Sequence, residues 1–387
     1  MNTKMMKTLR PLLWLGMLAA LAACHSRSHN VEGVAEGDTL RLHYAKLLTI
    51  TTAGETTWVS IRDPWDSTRT LHRYQLVPRT AETPAAQEGY TLVRTPLERV
   101  GAYSSIHCAL LDELGRAEAV AGVCEPEYIN LPYVQEGVKS GRIANLGNGM
   151  DPNLERIIEL KPDALMPSPF EHSGGYGRLE RLGIPLIECA DYMEQSPLGR
   201  AEWMRFYGRL VGCGELADSL FNAISSRYNA LCAMAARTRQ QPLVVSELPQ
   251  NGKWYVAGGR STMGRLYEDA GGKYAFADIQ SAGSVTLSVE HVIEKAVDAQ
   301  VWIVKHHGPI DRAQLEADNP SLQLLKAQMW ICDTSQKKYY EETPFHPDWL
   351  LENLISIFHP EMGIKAERRY FQPEDSLRVP LFRRRKR

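Results

Sequence analysis

The chain carries almost no net charge: 44 lysines and arginines against 46 aspartates and glutamates leave −2 at neutral pH. That balance excludes a strongly basic nucleic-acid binder on composition. None of the seven cysteines forms a CxxC pair, which removes a zinc knuckle and a thioredoxin-type redox motif. HExxH, GxSxG, the P-loop and GxGxxG are absent too, and with them the usual signatures of a zinc hydrolase, a serine-hydrolase elbow and a nucleotide cradle. No apolar run is long enough to cross a ~30 Å hydrocarbon core as a stable span.

What is present suits an exported globular protein. At 387 residues and 44% hydrophobic, the chain can build about two to three compact units with a sizeable core. Lys4, Lys7 and Arg10 precede an apolar run from Pro11 to Ala23, and small residues stand immediately before Cys24. This pattern resembles a bacterial lipobox, so residues 1–24 are expected to be a lipoprotein signal, with lipid attached at Cys24. Residues 25–38 are polar and read as a tether. The expected location is the periplasmic face of a bacterial membrane. The basic run Arg383 to Arg387 reads as a solvated end of a tail spanning 373–387.

From 39 to 79 the pattern has period two, with turns at Ala53-Gly54 and Asp63-Pro64, which predicts a small antiparallel β appendage; a loop carries it to residue 90. Strand and helix patterns then alternate twice. The first lobe, 91–196, has expected strands at 99–103, 119–123, 163–167 and 185–189, with helical patterns between them in SSIHCALLDELG, PNLERIIELKP and GYGRLERLG (175–183). Linker helices occupy 197–239, and a second lobe, 240–372, has expected strands at 242–247, 301–305 and 329–333. Between the lobes, Leu216, Leu220, Ile224, Tyr228, Leu231 and Ala235 recur at helical spacing, predicting one long helix over 214–238. The fold class is therefore α/β: two doubly wound α/β lobes joined by a long rigid α-helix, with the β appendage at the N-terminus.

Particular residues carry a resemblance. Asn153-Leu154-Glu155-Arg156-Ile157, followed by Leu160-Lys161-Pro162-Asp163-Ala164-Leu165, resembles the "NLE…LKPDLV" signature of substrate-binding proteins of ABC importers for vitamin B12, iron-siderophores and haem. Arg99-Val100-Gly101, Leu182-Gly183-Ile184-Pro185, Trp254 to Gly259 and Ser288-Val289-Glu290-His291-Val292 keep that family's order. The likeness runs from Arg99 to Val304, and less clearly to Phe358. The appendage and the stretch Tyr192 to Trp203 lie outside it. The resemblance implies a bilobal, non-enzymatic binding protein, monomeric, that captures a metal chelate (cobalamin, haem or a ferric siderophore) in one cleft shared by its two lobes and hands it to a permease dimer with its ATPase. It also implies that Glu155 and Glu290, one per lobe, meet arginines on the two permease subunits. Each also suits the first turn of a helix, where a carboxylate is favoured by the dipole. Contact with the membrane would be through the lipid anchor only, and no nucleic-acid partner is expected.

Ligands of open α/β sheets lie beyond the carboxyl ends of the strands. On that rule the expected ligand contacts are Tyr103, Ser104, Glu125, Tyr128, Met150, Phe170, His172 and Tyr192 in the first lobe. Trp254, Tyr255, Arg260 and His306 are expected in the second. The aromatic groups would cover a flat or cage-like ligand, and Arg260 either pairs with a ligand carboxylate or an anionic siderophore or is simply solvated. His306 and His307 alternate across a strand and have no further ligands at zinc spacing, so no resident metal is expected; a histidine or Tyr192 could serve as an axial ligand to haem iron. Two other classes stand against this reading: an exported enzyme such as a chelatase or hydrolase on a similar scaffold, and a surface scaffold built on the appendage.

Overall fold

Glycine 54 begins the fold's first tight turn. Its φ of +60° lets the chain reverse between Leu48–Ala53 and Thr56–Arg62, where Ala53 faces Thr56. A computed structural model describes residues 38–171, 175–364 and 369–376; Cys24, the signal and tether through residue 37, His172 and residues 377–387 lie outside them. The N-terminal sheet runs in order Asp38–Leu40, Leu48–Ala53, Thr56–Arg62 and Thr70–Pro78, all antiparallel. Its fifth strand, Thr91–Thr95, was expected to open the first lobe. It pairs instead in parallel with Thr70–Pro78.

In the first lobe a parallel sheet is ordered Ala144–Asn145, Val120–Val123, Val100–Ala102, Ala164–Met166. The chain moves outward from Val100–Ala102 in one direction and returns to its other side, which puts the point of reversal beside that strand. The expected strand at 185–189 is reduced to a single bridge between Leu165 and Leu186. The helical pattern near 176–183 collapses to one short turn, Glu180–Leu182, ended by Gly183 at φ +68°. A helix not expected from the pattern, Pro132–Ser140, follows Leu131.

The second lobe's sheet is ordered Lys273–Tyr274, Leu243–Ser246, Val301–His306, Gln328–Asp333, Gln372–Pro373, with only the last strand antiparallel. A further antiparallel sheet, Pro249–Gln250, Lys253–Ala257 and Ser284–Ser288, lies beside it.

One unbroken helix, Gly214–Ala235, joins the lobes; its 22 residues span roughly 33 Å. The buried face carries Ala217, Phe221, Ile224, Tyr228, Leu231 and Ala235. The expected stripe is thus right in its second half and one residue out of step in its first. Leu216 is 45% exposed, because the helix starts flush against Met204–Leu210, where Gly208 leaves room only for the methyl of Ala217. Tyr228 bonds Asp269 at 2.6 Å, and Arg227 holds Asp348 and Glu352 at 3.1 and 2.7 Å. Among the described residues, the larger of two apolar clusters runs from Ala45 through the strut to Phe371. The lobes therefore share their packing as well as a covalent link, an arrangement that permits modest closure at most. They also touch away from the strut, through Asn130 to the Ser335 carbonyl at 3.3 Å and His346 to Glu113 at 2.7 Å.

The two segments outside the family likeness hold each other. Glu202 accepts the backbone N–H groups of His43, Tyr44 and Ala45, while Glu194 accepts those of Lys46 and Leu47 together with the indole N–H of Trp203.

Candidate functional site

The first lobe's parallel strands all end on one side, and each is followed by a loop that lines the same cavity. Its volume is 440 Å³. Tyr103 follows Val100–Ala102, Glu125 follows Val120–Val123, Gly149 to Leu154 follow Ala144–Asn145, and Pro167 to Phe170 follow Ala164–Met166. Gly175 to Leu179 complete the wall. The cavity therefore sits over the point where strand order reverses, where open α/β sheets bind ligands. A small apolar cluster, Cys124, Leu146, Ile157, Leu165, Leu179 and Leu186, lies beneath it.

The lining is mixed. Tyr103, Met150, Phe170 and Tyr176 offer apolar area; Met150 is 72% and Phe170 43% exposed, although both are large hydrophobic groups. Glu125 stands at φ +48°, a left-handed backbone uncommon for a non-glycine and typical of functional turns. Its Oε1 accepts from Asn148 Nδ2 at 3.1 Å. The Tyr103 hydroxyl is buried with no hydrogen-bond partner among the described residues, and burial, followed by the nearby Cys124 thiol, pushes its pKa up. A protonated donor waiting in a cavity wall suits a ligand that brings its own acceptor. Among the described residues the lining carries two carboxylates, Glu125 and Asp151, and one guanidinium, Arg178, so it is weakly acidic.

Of the expected contacts, Tyr103, Glu125, Met150 and Phe170 converge here. Ser104 instead caps the helix Ser105–Glu113, its Oγ accepting from the Ile106 N–H at 3.3 Å. Tyr128 is 75% exposed on a short turn, and the Tyr192 hydroxyl donates to the Pro169 carbonyl, bracing the loop that carries Phe170. Trp254 needs correction: it is fully buried, its indole N–H bonded to the Ser246 carbonyl at 3.0 Å and its ring against Trp302. Its strand alternates, so Tyr255 is the neighbour that faces outward. Tyr255 and His306 do not line the cavity, and the His306 ring meets the Gly308 carbonyl at 3.1 Å. Arg260 lines a separate 600 Å³ cavity against the strut, with Arg265, Tyr228 and Tyr44.

Sequence reasoning missed Tyr176 and Glu188. Tyr176 lay in a segment read as helix. Glu188 breaks the apolar run Pro185 to Cys189, which is the sequence signal of a buried polar group. Among the described residues no group of three or more His, Cys, Asp or Glu is placed to hold a metal ion, and the six described cysteines are free. No helix among them is long and apolar enough to cross a membrane.

Glu155 and Glu290 occupy first helical turns, after Asn153 and Ser288, whose side chains accept from Arg156 and His291. Both are exposed, and neither has a recorded ion pair among the described residues.

A family profile described as periplasmic binding protein matches residues 101–328. An uncharacterized lipoprotein of Methanocaldococcus jannaschii is 26% identical over 300 residues, covering 73% of this chain and 70% of that protein. The ferric-anguibactin-binding protein of Vibrio anguillarum is 25% identical over 209 residues, covering 52% of this chain and 62% of that one. A periplasmic heme-binding protein from Pseudomonas aeruginosa superposes with a TM-score of 0.53 at 18% identity, covering 70% of this chain and 94% of that chain. The two-lobe architecture is common to both structures.

Proposed function

The chain belongs to the periplasmic binding protein family, and on that premise we propose that it is the lipid-anchored substrate-binding component of an ABC importer. Its ligand is a metal chelate, either cobalamin, haem or a ferric siderophore, held in the first-lobe cavity and passed to a permease. The described lining of that cavity comes wholly from residues 103–179, so the site differs from the cleft shared by both lobes that is expected from the sequence. The observation that carries this reading is the 440 Å³ cavity over the strand-order reversal, with exposed Met150 and Phe170 beside the unpartnered Tyr103 hydroxyl. Its size lies in the range of small-molecule sites, and apolar area with a few fixed polar groups is their usual composition. The similar proteins, a lipoprotein, a ferric-anguibactin-binding protein and a heme-binding protein, support the anchor and the ligand class.

Within that class the weakly acidic lining favours a neutral or cationic chelate over a highly anionic catecholate complex, which would meet Glu125 and Asp151 with, among the described lining residues, Arg178 alone to balance them. Glu155 and Glu290 are the permease contacts of this reading, since well-separated exposed charges set orientation and docking rate more than affinity. The test is a visible-absorption titration with cyanocobalamin, haemin and a ferric hydroxamate, followed by gel filtration. A one-to-one coloured complex that survives the column supports the proposal; passage of all three without retention contradicts it.

A further inference from the structure

Tyr176 stands in the cavity wall, and behind it the N-terminal sheet reaches the ligand site. Its phenol donates to Glu188 Oε2 at 2.5 Å, and Glu188 is 7% exposed. The basic group recorded against that carboxylate is His72 of the N-terminal sheet, Nδ1 to Oε1 3.9 Å, stacked on Tyr74 at 4.5 Å. Tyr74 fixes the Glu188 backbone, accepting its N–H at 2.8 Å while donating to the Leu186 carbonyl at 2.9 Å. Glu188 is thus held from behind by the sheet and holds the wall in front.

Packing does not require an ionisable group here, because a glutamine would accept the same phenol without the desolvation cost of a charge. Burial pushes the Glu188 carboxyl up to about 7, against the Tyr176 hydrogen bond, and the Glu180 charge adds to the rise. His72 does not offset this: burial lowers its pKa, so it is neutral where Glu188 ionises. Burial raises Tyr176 and Tyr74, and it raises the Cys189 thiol, so these stay protonated through the same range.

We propose that Glu188 is a positioning residue for the ligand cavity: its carboxylate fixes Tyr176, ties the wall from Gly175 to Leu179 to the N-terminal sheet, and holds ligand more tightly when ionised. The ligand part rests on the function proposed above; the positioning part does not. The first measurement is therefore made on ligand-free protein, by hydrogen exchange of the 175–182 backbone corrected for the intrinsic rate. Local opening of this wall breaks the Tyr176 bond while Glu188 stays buried against the sheet, so its sign is opposite to that of global unfolding. Exchange is expected to be about fivefold faster at pH 6 than at pH 8, the difference between a neutral and a charge-assisted hydrogen bond. Glu188→Gln and Tyr176→Phe are each expected to abolish that pH dependence. A flat wild-type profile, or either variant keeping the wild-type slope, overturns the proposal. In the second measurement, cyanocobalamin and a ferric hydroxamate are titrated at both pH values, and the one retained is expected to bind about fivefold more weakly at pH 6 in wild type only. Equal affinity at the two pH values overturns it. If neither probe binds, the proposed ligand class fails, while the exchange data still decide the role of Glu188.

Discussion

The carboxylate of Glu202 accepts the backbone N–H of Tyr44 at 2.8 Å, across 158 residues of chain. It is fully buried, and the neighbouring N–H groups of His43 and Ala45 share it. A carboxylate with several backbone donors is a strong acceptor, and removing it leaves those donors with no partner. Glu202→Ala is expected to cost about 2–4 kcal/mol, read as a lower midpoint in urea. Early loss of protection should concentrate in residues 38–62.

Asp191 is the second buried anchor. It bonds His107 at 3.1 Å, Arg200 at 3.0 Å and Tyr207 at 2.8 Å. Burial alone would raise its pKa, but the His107 hydrogen bond and the Arg200 charge outweigh it and bring the carboxyl down to about 2. A depressed folded pKa stabilises above the unfolded value of 3.8 and loses that contribution as pH falls through about 2. Acid denaturation is therefore expected to draw on this group between about pH 4 and 2. Asp191→Asn is expected to cost about 3–5 kcal/mol at pH 7 and to flatten that limb of the stability profile.

Glu188 predicts the opposite sign. A carboxyl raised from 4.5 to about 7 contributes stability at low pH that is lost as pH rises through that window. Glu188→Gln is accordingly expected to stabilise the protein at pH 8 by on the order of 1–3 kcal/mol, with little effect near pH 4, as measured by denaturant midpoints at both pH values.

Glu290→Arg tests docking. The residue is exposed in a first turn, so the substitution should leave stability within about 0.5 kcal/mol and chelate affinity unchanged. Uptake by cells carrying the cognate permease should fall to background. Normal uptake would remove Glu290 from the interface.

The architecture was legible in the sequence because periodicity reports burial. The strut's stripe from Ile224 to Ala235 and the Val100, Val120 and Ala164 strands followed directly from it. The boundary at Thr91 misled, because a five-residue strand does not reveal which sheet it will join. Within the site, Tyr103, Glu125, Met150 and Phe170 followed from the strand-end rule, which depends on topology alone. Trp254 did not, since the rule gives position along a strand and not the face. Tyr176 and Glu188 are joined only in three dimensions, across a loop whose apparent helical spacing dissolves at Gly175, Gly177 and Gly183, all at positive φ.

The most direct test of a first-lobe ligand site is to fill it. An added Cβ at Gly149 would meet Glu125 at 3.5 Å, Tyr103 at 3.8 Å and Cys124 at 3.9 Å, all ordinary contacts, so a larger side chain there can enter the cavity without disturbing the backbone. Isothermal titration of Gly149→Leu with the chelate that wild type retains is expected to show at least about a tenfold loss of affinity, equivalent to about 1.4 kcal/mol, at unchanged thermal stability. Wild-type affinity in that variant would place the ligand elsewhere and contradict the account.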